Sequence, residues 1–275
     1  MAMADLVLSR TLARVEPSRT IVMSQKARDL RAQGRSVITL AAGEPDFDTP
    51  PHIRQAAAAA IEAGHTRYTP VDGVAGLKAA IRAKFARDNG LEYEDNEVIA
   101  TTGGKFVLYT ALMATLNPGD EVIIPAPYWV SYPDMVKLAG GEPVIVPTTE
   151  EAGFIMSPEQ LAYAITPRTR WLMLNSPSNP TGAVYSKDDL LGLADVLRAN
   201  PHVWIMADDI YEHIVFDEPF TTLAALAPDL KDRILIVNGA SKAYAMTGWR
   251  IGVGAGPARL IAAMKKLVGQ SVSGA

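Results

Sequence analysis

The sequence has no cysteine at any of its 275 positions. This absence excludes a disulfide framework, a thiolate nucleophile and a zinc site built from thiolates. Histidine is scarce as well, and none of the four belongs to an H-E-x-x-H or H-x3–5-H arrangement, so the sequence predicts no metal site. The four are His52, His65, His202 and His213.

Long apolar runs and concentrated positive charge are also absent. No stretch approaches the roughly 20 apolar residues that span a bilayer. The short apolar run near the N-terminus is interrupted by Asp5 and Arg10 and does not have the pattern of a signal peptide, so we expect a cytoplasmic protein. The net charge of −4, from 26 Lys+Arg against 30 Asp+Glu, includes no basic stripe. Nucleic acids and membranes are therefore not expected partners, and a small-molecule substrate is.

Short apolar runs alternate with helix-length segments along most of the chain. Such runs are typical of strands covered on both faces, so they predict an α/β fold with a mostly parallel sheet flanked by helices. Length allows one large domain and part of a second, at about 150 residues per domain. The predicted strands are residues 98–101, 121–125, 143–147, 171–175, 203–208 and 234–238.

Start signals mark two of the helices. Ser157 and Ser186 each stand at an N-cap position with a polar partner three residues later. Residues 1–45 differ from the rest, with a charged helical stretch near 24–33 and a predicted short strand at 37–43. We expect residues 1–45 to form an N-terminal arm and a partial small domain, and residues 46–275 to form the large domain.

Candidate ligand-binding residues follow the predicted strands, because a parallel sheet places its binding crevice at the carboxyl ends of its strands. After the first strand, Gly103 and Gly104 open a helix and leave backbone N–H groups free for an anion, followed by Lys105. This is not a nucleotide-binding P-loop, because Phe106 stands where serine or threonine should follow the lysine. Taken alone, the loop is more often a plain tight turn.

Three further candidates each have an ordinary alternative. Trp129 can stack on a flat ligand or close the edge of a core. Asn179, held between two prolines, can present its amide rigidly or occupy an ordinary turn. Asp208, at the end of a buried strand, needs a cation, which a ligand or a structural ion pair could supply.

Lys242 and Arg250 follow the last predicted strand. A lysine in a desolvated crevice can lose its proton and condense with an aldehyde, although most lone lysines are solvated surface residues. Together, a lysine, an acid, a glycine turn with an arginine, polar donors and an aromatic ring are what pyridoxal phosphate requires.

Seven sequence strings carry a family resemblance. They are AAGEPDFDTP, RYTPVDG, TTGGK, PAPYWVSYP, NSPSNPTGAVY, ADDIYEH and SKAYAMTGWRIG. In unbroken order from about Leu12 onward, they closely resemble the class I aminotransferases of the aspartate aminotransferase family, which are fold type I pyridoxal-phosphate enzymes. The resemblance is greatest to the bacterial subgroup of aspartate and prephenate aminotransferases.

The resemblance implies a role for each matching residue. Lys242 would carry the cofactor and move the substrate proton, and Asp208 would pair with the pyridinium nitrogen. The other cofactor-binding residues would be Gly103, Gly104, Lys105, Trp129, Asn179, Tyr211, Arg250 and, across a homodimer interface, Tyr68. The substrate-binding residues would be Gly43, Trp129, Asn179, Lys105 and Arg14.

The same resemblance implies transamination between an acidic amino acid, such as aspartate or glutamate, and a 2-oxo acid, with prephenate and arogenate as a related pair. Members of the family continue for roughly a small domain of about 100 residues beyond the position of Ala275, and that part binds the substrate α-carboxylate. We therefore expect a chain that lacks its C-terminal small domain. A further departure is Gly239, where some relatives have a phosphate-binding serine.

Other functions stay open from the sequence. A β-lyase of the same fold would share the lysine, the acid and the arginine. The effector domain of a transcription regulator would need a basic helix-turn-helix, which residues 1–45 do not supply. A fragment could also bind the cofactor without turnover, or fold poorly and bind nothing.

Overall fold

The computed structural model describes residues 6–217 and 219–274. Residues 1–5, which include Asp5, and residues 218 and 275 lie outside this part of the chain. The predicted segments 1–45 and 46–275 are therefore described except at these positions. Its strands are β1 Val98–Thr101, β2 Glu121–Ala126, β3 Glu142–Pro147, β4 Thr169–Asn175, β5 Trp204–Asp208, β6 Ile234–Gly239 and β7 Gly252–Ala255. Its α-helices are α1 Arg19–Ala32, α2 Pro51–Glu62, α3 Ala75–Asn89, α4 Gly104–Thr115, α5 Ser131–Leu138, α6 Pro158–Ala164, α7 Lys187–Ala199, α8 Leu223–Leu226 and α9 Ala258–Gly269.

The strands form one sheet in the order β1-β7-β6-β5-β4-β2-β3. Every neighbouring pair is parallel except the two that involve β7, which runs antiparallel to β1 and to β6. The predicted mostly parallel sheet is therefore confirmed. Within residues 6–217 and 219–274, no helix combines the length and the apolar character that crossing a bilayer requires.

Helices cover both faces of the sheet, so each face has its own apolar core. On one face, Phe85 of α3, Leu161 of α6 and Leu193 of α7 are almost completely buried. On the other face, Leu108 of α4 and Met264 of α9 pack against the opposite sides of the same strands. Burial on both faces explains why the strands are nearly continuous apolar runs in the sequence.

The two predicted helix starts are also present. The Ser157 hydroxyl accepts a hydrogen bond from the backbone N–H of Gln160 at 3.2 Å, and Ser186 accepts one from Asp189 at 3.1 Å. In both cases the partner's side chain bonds back to the serine N–H, which completes a capping box.

The strand predicted at residues 37–43 is wrong. Residues 37–43 contain no strand and bend at residues 41–42, and Ile38 and Leu40 are 90% and 94% exposed. A strand needs a neighbour for its ladder hydrogen bonds. Here the Val37 carbonyl accepts from the guanidinium of Arg31 instead, with contacts at 2.8 and 3.0 Å.

We expect the core on the α7 side to respond sharply to a cavity. Replacing the fully buried Leu193 with alanine should lower the free energy of unfolding by about 2–5 kcal/mol, because the void cannot collapse completely. Leu191→Ala on the same helix is the matched control, since Leu191 is 38% exposed, and should cost about 0.5 kcal/mol. Urea denaturation measures both, and equal losses would contradict this account of the core.

Candidate functional site

A crevice of about 580 Å³ lies at the carboxyl ends of the central parallel strands. Most of the predicted site residues meet there, although they come from segments far apart in the sequence. The predicted residues that line it are Gly43, Gly104, Lys105, Trp129, Asn179, Asp208, Tyr211, Lys242 and Arg250.

Asp208 is the buried acid of the crevice, with only 6% of its surface exposed at the end of β5. Burial raises the pKa of its carboxyl group to about 6, against the stabilising effects of a hydrogen bond from Tyr132, the Ile210 N–H and the Lys242 charge. The Tyr132 hydroxyl donates to Oδ2 of Asp208 at 2.6 Å. An acid held in this way is arranged to face a cation.

Tyr132 was not among the residues predicted from the sequence. It lies on α5 with 3% exposure, and its ring meets that of Trp129 edge to face at a centroid distance of 5.4 Å. In a sequence, a tyrosine three residues after a tryptophan is typical of a core position without a chemical role. Only the fold brings its hydroxyl to a carboxylate 76 residues away.

An asparagine relay lies beside Asp208. Asn175, at the end of β4, donates to the Asp208 carbonyl at 2.7 Å and accepts from the backbone N–H of Asn179 at 2.8 Å. The Asn179 amide in turn points to the Tyr211 hydroxyl at 3.5 Å. Burial raises the pKa of Tyr211, as does the nearby Asp208 charge, so its hydroxyl remains a donor at neutral pH. Asn175 was also missed by the sequence reasoning, because an asparagine at the end of a strand is usually a turn residue.

Lys242 lies in the loop between β6 and β7. Its ammonium donates to the Gly43 carbonyl and stands 5.8 Å from the centroid of the Tyr211 ring. Burial lowers the pKa of Lys242, and the Arg250 charge acts in the same direction, while Glu44 and Asp208 oppose the shift. A lysine with a depressed pKa in a crevice is a nucleophile for an aldehyde.

Gly103, Gly104 and Arg250 form an anion cradle at the start of α4. Gly103 has a φ of 94°, and a Cβ built on it would lie 2.2 Å from Nη2 of Arg250. The guanidinium donates to the Thr247 carbonyl at 2.8 Å, which fixes its position. The N–H of Gly103 donates to the Thr101 carbonyl at 2.7 Å. The first N–H groups of an α-helix have no partner within the helix, and together with a guanidinium such groups favour a phosphate.

Lys105 and Trp129 form the wall beside the cradle. The Lys105 ammonium lies 4.7 Å from the centroid of the Trp129 ring, within cation–π range. Lys105 is an exposed residue, but burial of its ammonium beside the protein lowers the pKa, as does the Arg250 charge. The wall therefore offers one positive charge and one aromatic face.

Three predicted residues do not line the crevice: Gly103, whose place against Arg250 is given above, Arg14 and Tyr68. Arg14 donates to the Glu142 carboxylate at 2.7 Å and to the Gly141 carbonyl at 3.0 Å, so its guanidinium is held at the start of β3. The role of Arg14 on the substrate side remains a prediction. Tyr68 is 98% exposed and faces solvent, where another chain could reach it.

One group with metal-ligand chemistry lies outside the crevice. Single ligand atoms of Asp88, Glu212 and His213 lie within 4.8 Å of one another. The Lys84 ammonium contacts the Glu212 carboxylate, and Arg87 donates to both oxygens of Asp88 at 2.6 and 2.9 Å. Because two cations already neutralise the two carboxylates, we interpret the group as an ion-pair cluster.

Comparison with known proteins assigns the chain to a family. Residues 35–274 match the family model described as aminotransferase class I and II. The chain belongs to this family. Aminotransferases exchange an amino group between an amino acid and a 2-oxo acid, and this family depends on pyridoxal phosphate.

Similar proteins agree with this assignment. The chain is 62% identical to the aspartate/prephenate aminotransferase of Cereibacter sphaeroides (strain ATCC 17029 / ATH 2.4.9), over 97% of this chain and 67% of that protein. Its fold matches the crystal structure of the aspartate aminotransferase from Rhizobium meliloti with a TM-score of 0.95 and 51% identity, over 98% of this chain and 68% of that one. The aspartate aminotransferase from Thermus thermophilus with maleate gives 0.94 and 46%, over 98% and 70%. This aminotransferase chain thus spans about two thirds of the length of such relatives.

The aminotransferase crevice fits pyridoxal phosphate on chemical grounds. Because Gly103 has no side chain, the Arg250 guanidinium lies directly against the start of α4, where a Cβ would overlap it. The buried Asp208 carboxylate suits a cationic ring nitrogen, and the amine of Lys242 suits an aldehyde. At Gly239 a Cβ would lie 2.7 Å from the Ile251 carbonyl oxygen, so a serine at this position would require a shift of the backbone.

The buried carboxyl of Asp208 should make stability depend on pH. Its folded-state pKa of about 6 lies above the ordinary 3.8, so the folded cofactor-free chain binds this proton more tightly than the unfolded one. Stability from this group is present at low pH and is lost as the pH rises through about 6, amounting to about 1.4 kcal/mol between pH 5 and pH 7.5.

Asp208→Asn removes this titration, so the loss of unfolding free energy between the two pH values should be smaller in the variant than in the wild type by about that amount. Urea denaturation at each pH measures the difference. The comparison between pH values cancels the constant effect of the altered hydrogen bonds. Parallel pH profiles for the two proteins would contradict the raised pKa.

Proposed function

We propose that this chain transfers an amino group reversibly from an acidic amino acid, aspartate or glutamate, to a 2-oxo acid, and that prephenate and arogenate belong to its substrate range. The observation that carries the proposal is that Lys242, Asp208 and the anion cradle converge in one crevice. The names of the relatives, aspartate/prephenate aminotransferase and aspartate aminotransferase, support the choice of substrates.

The cofactor would be held by groups at four points of the crevice. Gly103, Gly104 and Arg250 would bind the phosphate, and Asp208 would face the ring nitrogen. Tyr211 and Asn179 would donate to the ring oxygen, and Trp129 would cover one face of the ring. When bound, pyridoxal phosphate supplies an aldehyde for amines and a ring that withdraws electrons from the substrate Cα.

Lys242 would have two tasks in sequence. Its amine would first hold the cofactor, and after the amino-acid substrate replaces it there, the released amine would take the proton from the substrate Cα. A depressed pKa favours both tasks, because only the neutral amine is a nucleophile and a base. Tyr132 would keep Asp208 ionised by donating to its carboxylate at 2.6 Å.

Lys105 would bind the distal carboxylate of the substrate, in addition to its place beside the phosphate cradle. Its ammonium belongs to the crevice wall and, among the described residues, forms no ion pair. Gly43, Trp129 and Asn179 would line the substrate side. This arrangement favours a dicarboxylate over a neutral amino acid, because a charge-assisted contact is lost when the second carboxylate is missing.

The larger organisation is part of the proposal. Residues 1–45 would be an N-terminal arm with part of a small domain, and residues 46–275 the cofactor-binding domain. A homodimer would bring the exposed Tyr68 to the partner's cofactor. We expect the location to be cytoplasmic.

Covalent attachment tests the cofactor site. Borohydride reduction of the chain with pyridoxal phosphate, followed by peptide mass mapping, should find the phosphopyridoxyl mass on Lys242. Lys242→Ala should abolish the label. Lys105→Ala is the matched control, because Lys105 is a second lysine of the same crevice with a lowered pKa, and it should leave the label on Lys242. Label spread over surface lysines would contradict the proposed site.

Lys105→Met tests the substrate class. The second-order rate constant for L-aspartate, measured in single turnovers, should fall about tenfold. The constant for L-alanine should stay near that of the wild type, because only aspartate has the distal carboxylate. Spectral change of the bound cofactor follows both reactions. An equal loss with both amino acids would assign Lys105 to the phosphate cradle instead.

A further inference from the structure

The loop between β6 and β7 has an unfavourable backbone conformation. It carries Lys242 and Arg250, and two of its non-glycine residues, Ala245 and Arg250, have φ values of 49° and 58°. The left-handed region is disfavoured for residues with a Cβ, so such a conformation persists only when the surrounding structure imposes it. The loop therefore depends on contacts from outside itself.

Those contacts come from the segment of residues 43–49. The Gly43 carbonyl accepts from Lys242, and Glu44 bonds to the Thr247 hydroxyl, but both contacts are exposed to water. Thr49 differs from them, because only 9% of its surface is exposed. Its hydroxyl donates to the Ala245 carbonyl at 2.5 Å.

The same hydroxyl also accepts from Nε1 of Trp249 at 3.0 Å. Thr49 thus bridges two points of the loop, one at the strained Ala245 and the other directly before Arg250. A hydroxyl is suited to this task, because it donates one hydrogen bond and accepts others at the same oxygen. Ala245 lies three residues after Lys242, and Trp249 directly precedes Arg250. Each functional residue is therefore close in the chain to a residue that Thr49 holds.

We propose that Thr49 is a positioning residue for amino transfer: its hydroxyl holds the loop in the conformation that keeps Lys242 and Arg250 turned into the crevice. The inference rests on the proposed function, since it concerns the same lysine. Thr49 itself does not line the crevice and is not among the residues that the family resemblance singled out. Its role is exerted through Ala245 and Trp249.

Loss of the bridge should change the reactivity of Lys242. Burial is the main cause of the lowered pKa of this lysine. When the loop is released, the ammonium gains access to water, so its pKa should rise toward the ordinary value. A merely structural threonine elsewhere in the fold would lower stability without this effect.

Thr115 supplies a matched control. Its hydroxyl donates to the Ala111 carbonyl at 2.7 Å and accepts from Nε1 of Trp171 at 2.9 Å, which is the same pair of contacts at the far end of α4. The variants are Thr49→Val, which keeps the shape and removes the hydroxyl, Thr49→Ser, which keeps the hydroxyl, and Thr115→Val. Competitive acetylation of the cofactor-free full chain over a range of pH, read at the Lys242 peptide by mass spectrometry, reports the apparent pKa.

We expect Thr49→Val to raise the labelling midpoint of Lys242 by about half a pH unit or more, and Thr49→Ser to restore it. Thr115→Val should lower the thermal midpoint and leave the labelling profile unchanged. A wild-type profile in Thr49→Val, or an equal shift in Thr115→Val, would overturn the proposal. If Thr49→Val does not fold, Trp249→Phe removes one of the two bonds and should give a smaller shift in the same direction, and no shift there would overturn the proposal as well.

Because this labelling uses no cofactor, its result is independent of the borohydride experiment. A chain that fails to attach pyridoxal phosphate at Lys242 would disprove the proposed function. The labelling profile would still show whether Thr49 controls the exposure of the lysine.

Discussion

A carboxylate enclosed by protein is the group on which the rest of the crevice depends. Burying the charge of Asp208 is costly, and several neighbours reduce that cost. Tyr132 donates to its side chain, Asn175 fixes its backbone carbonyl, and Lys242 stands near enough to lower its pKa. Each neighbour comes from a different element, so the acid determines how α5, β4 and the loop after β6 must fit together.

The opposite end of the crevice depends on the absence of side chains. A Cβ on Gly252 would lie 2.1 Å from the carbonyl carbon of Gly103, and one on Gly103 would overlap Arg250. β7 can therefore approach the start of α4 closely enough for the guanidinium to lie against the helix N-terminus. Close backbone packing thus places the positive charge of Arg250 at this end of the crevice. At the other end, hydrogen bonds stabilise the buried negative charge of Asp208.

Sequence reasoning predicted features that depend on residues close together in the chain, and it missed contacts between residues far apart in the chain. The six predicted strands were found because burial on both faces leaves a local apolar record, and the caps of α6 and α7 were found because Ser157 and Ser186 act on residues three positions away. The strand predicted at residues 37–43 was wrong because a strand requires a partner that a local pattern does not reveal. Tyr132 and Thr49 were missed for a related reason: their hydroxyls act on residues 76 and 196 positions away. Arg14 was expected in the crevice, but Glu142 holds it elsewhere.

The antiparallel strand β7 has a consequence for the order of events during synthesis. It lies between β1 and β6, so β1 has no strand neighbour until the ribosome has made β7, about 150 residues later. Arg250 reaches back to the Thr102 carbonyl across 148 residues. The nascent polypeptide must therefore carry an unpaired β1 edge and an unfinished anion cradle until β7 and Arg250 have been made. The affinity for a phosphate would arise only in a single late step, when β7 pairs with β1 and brings Arg250 to the start of α4.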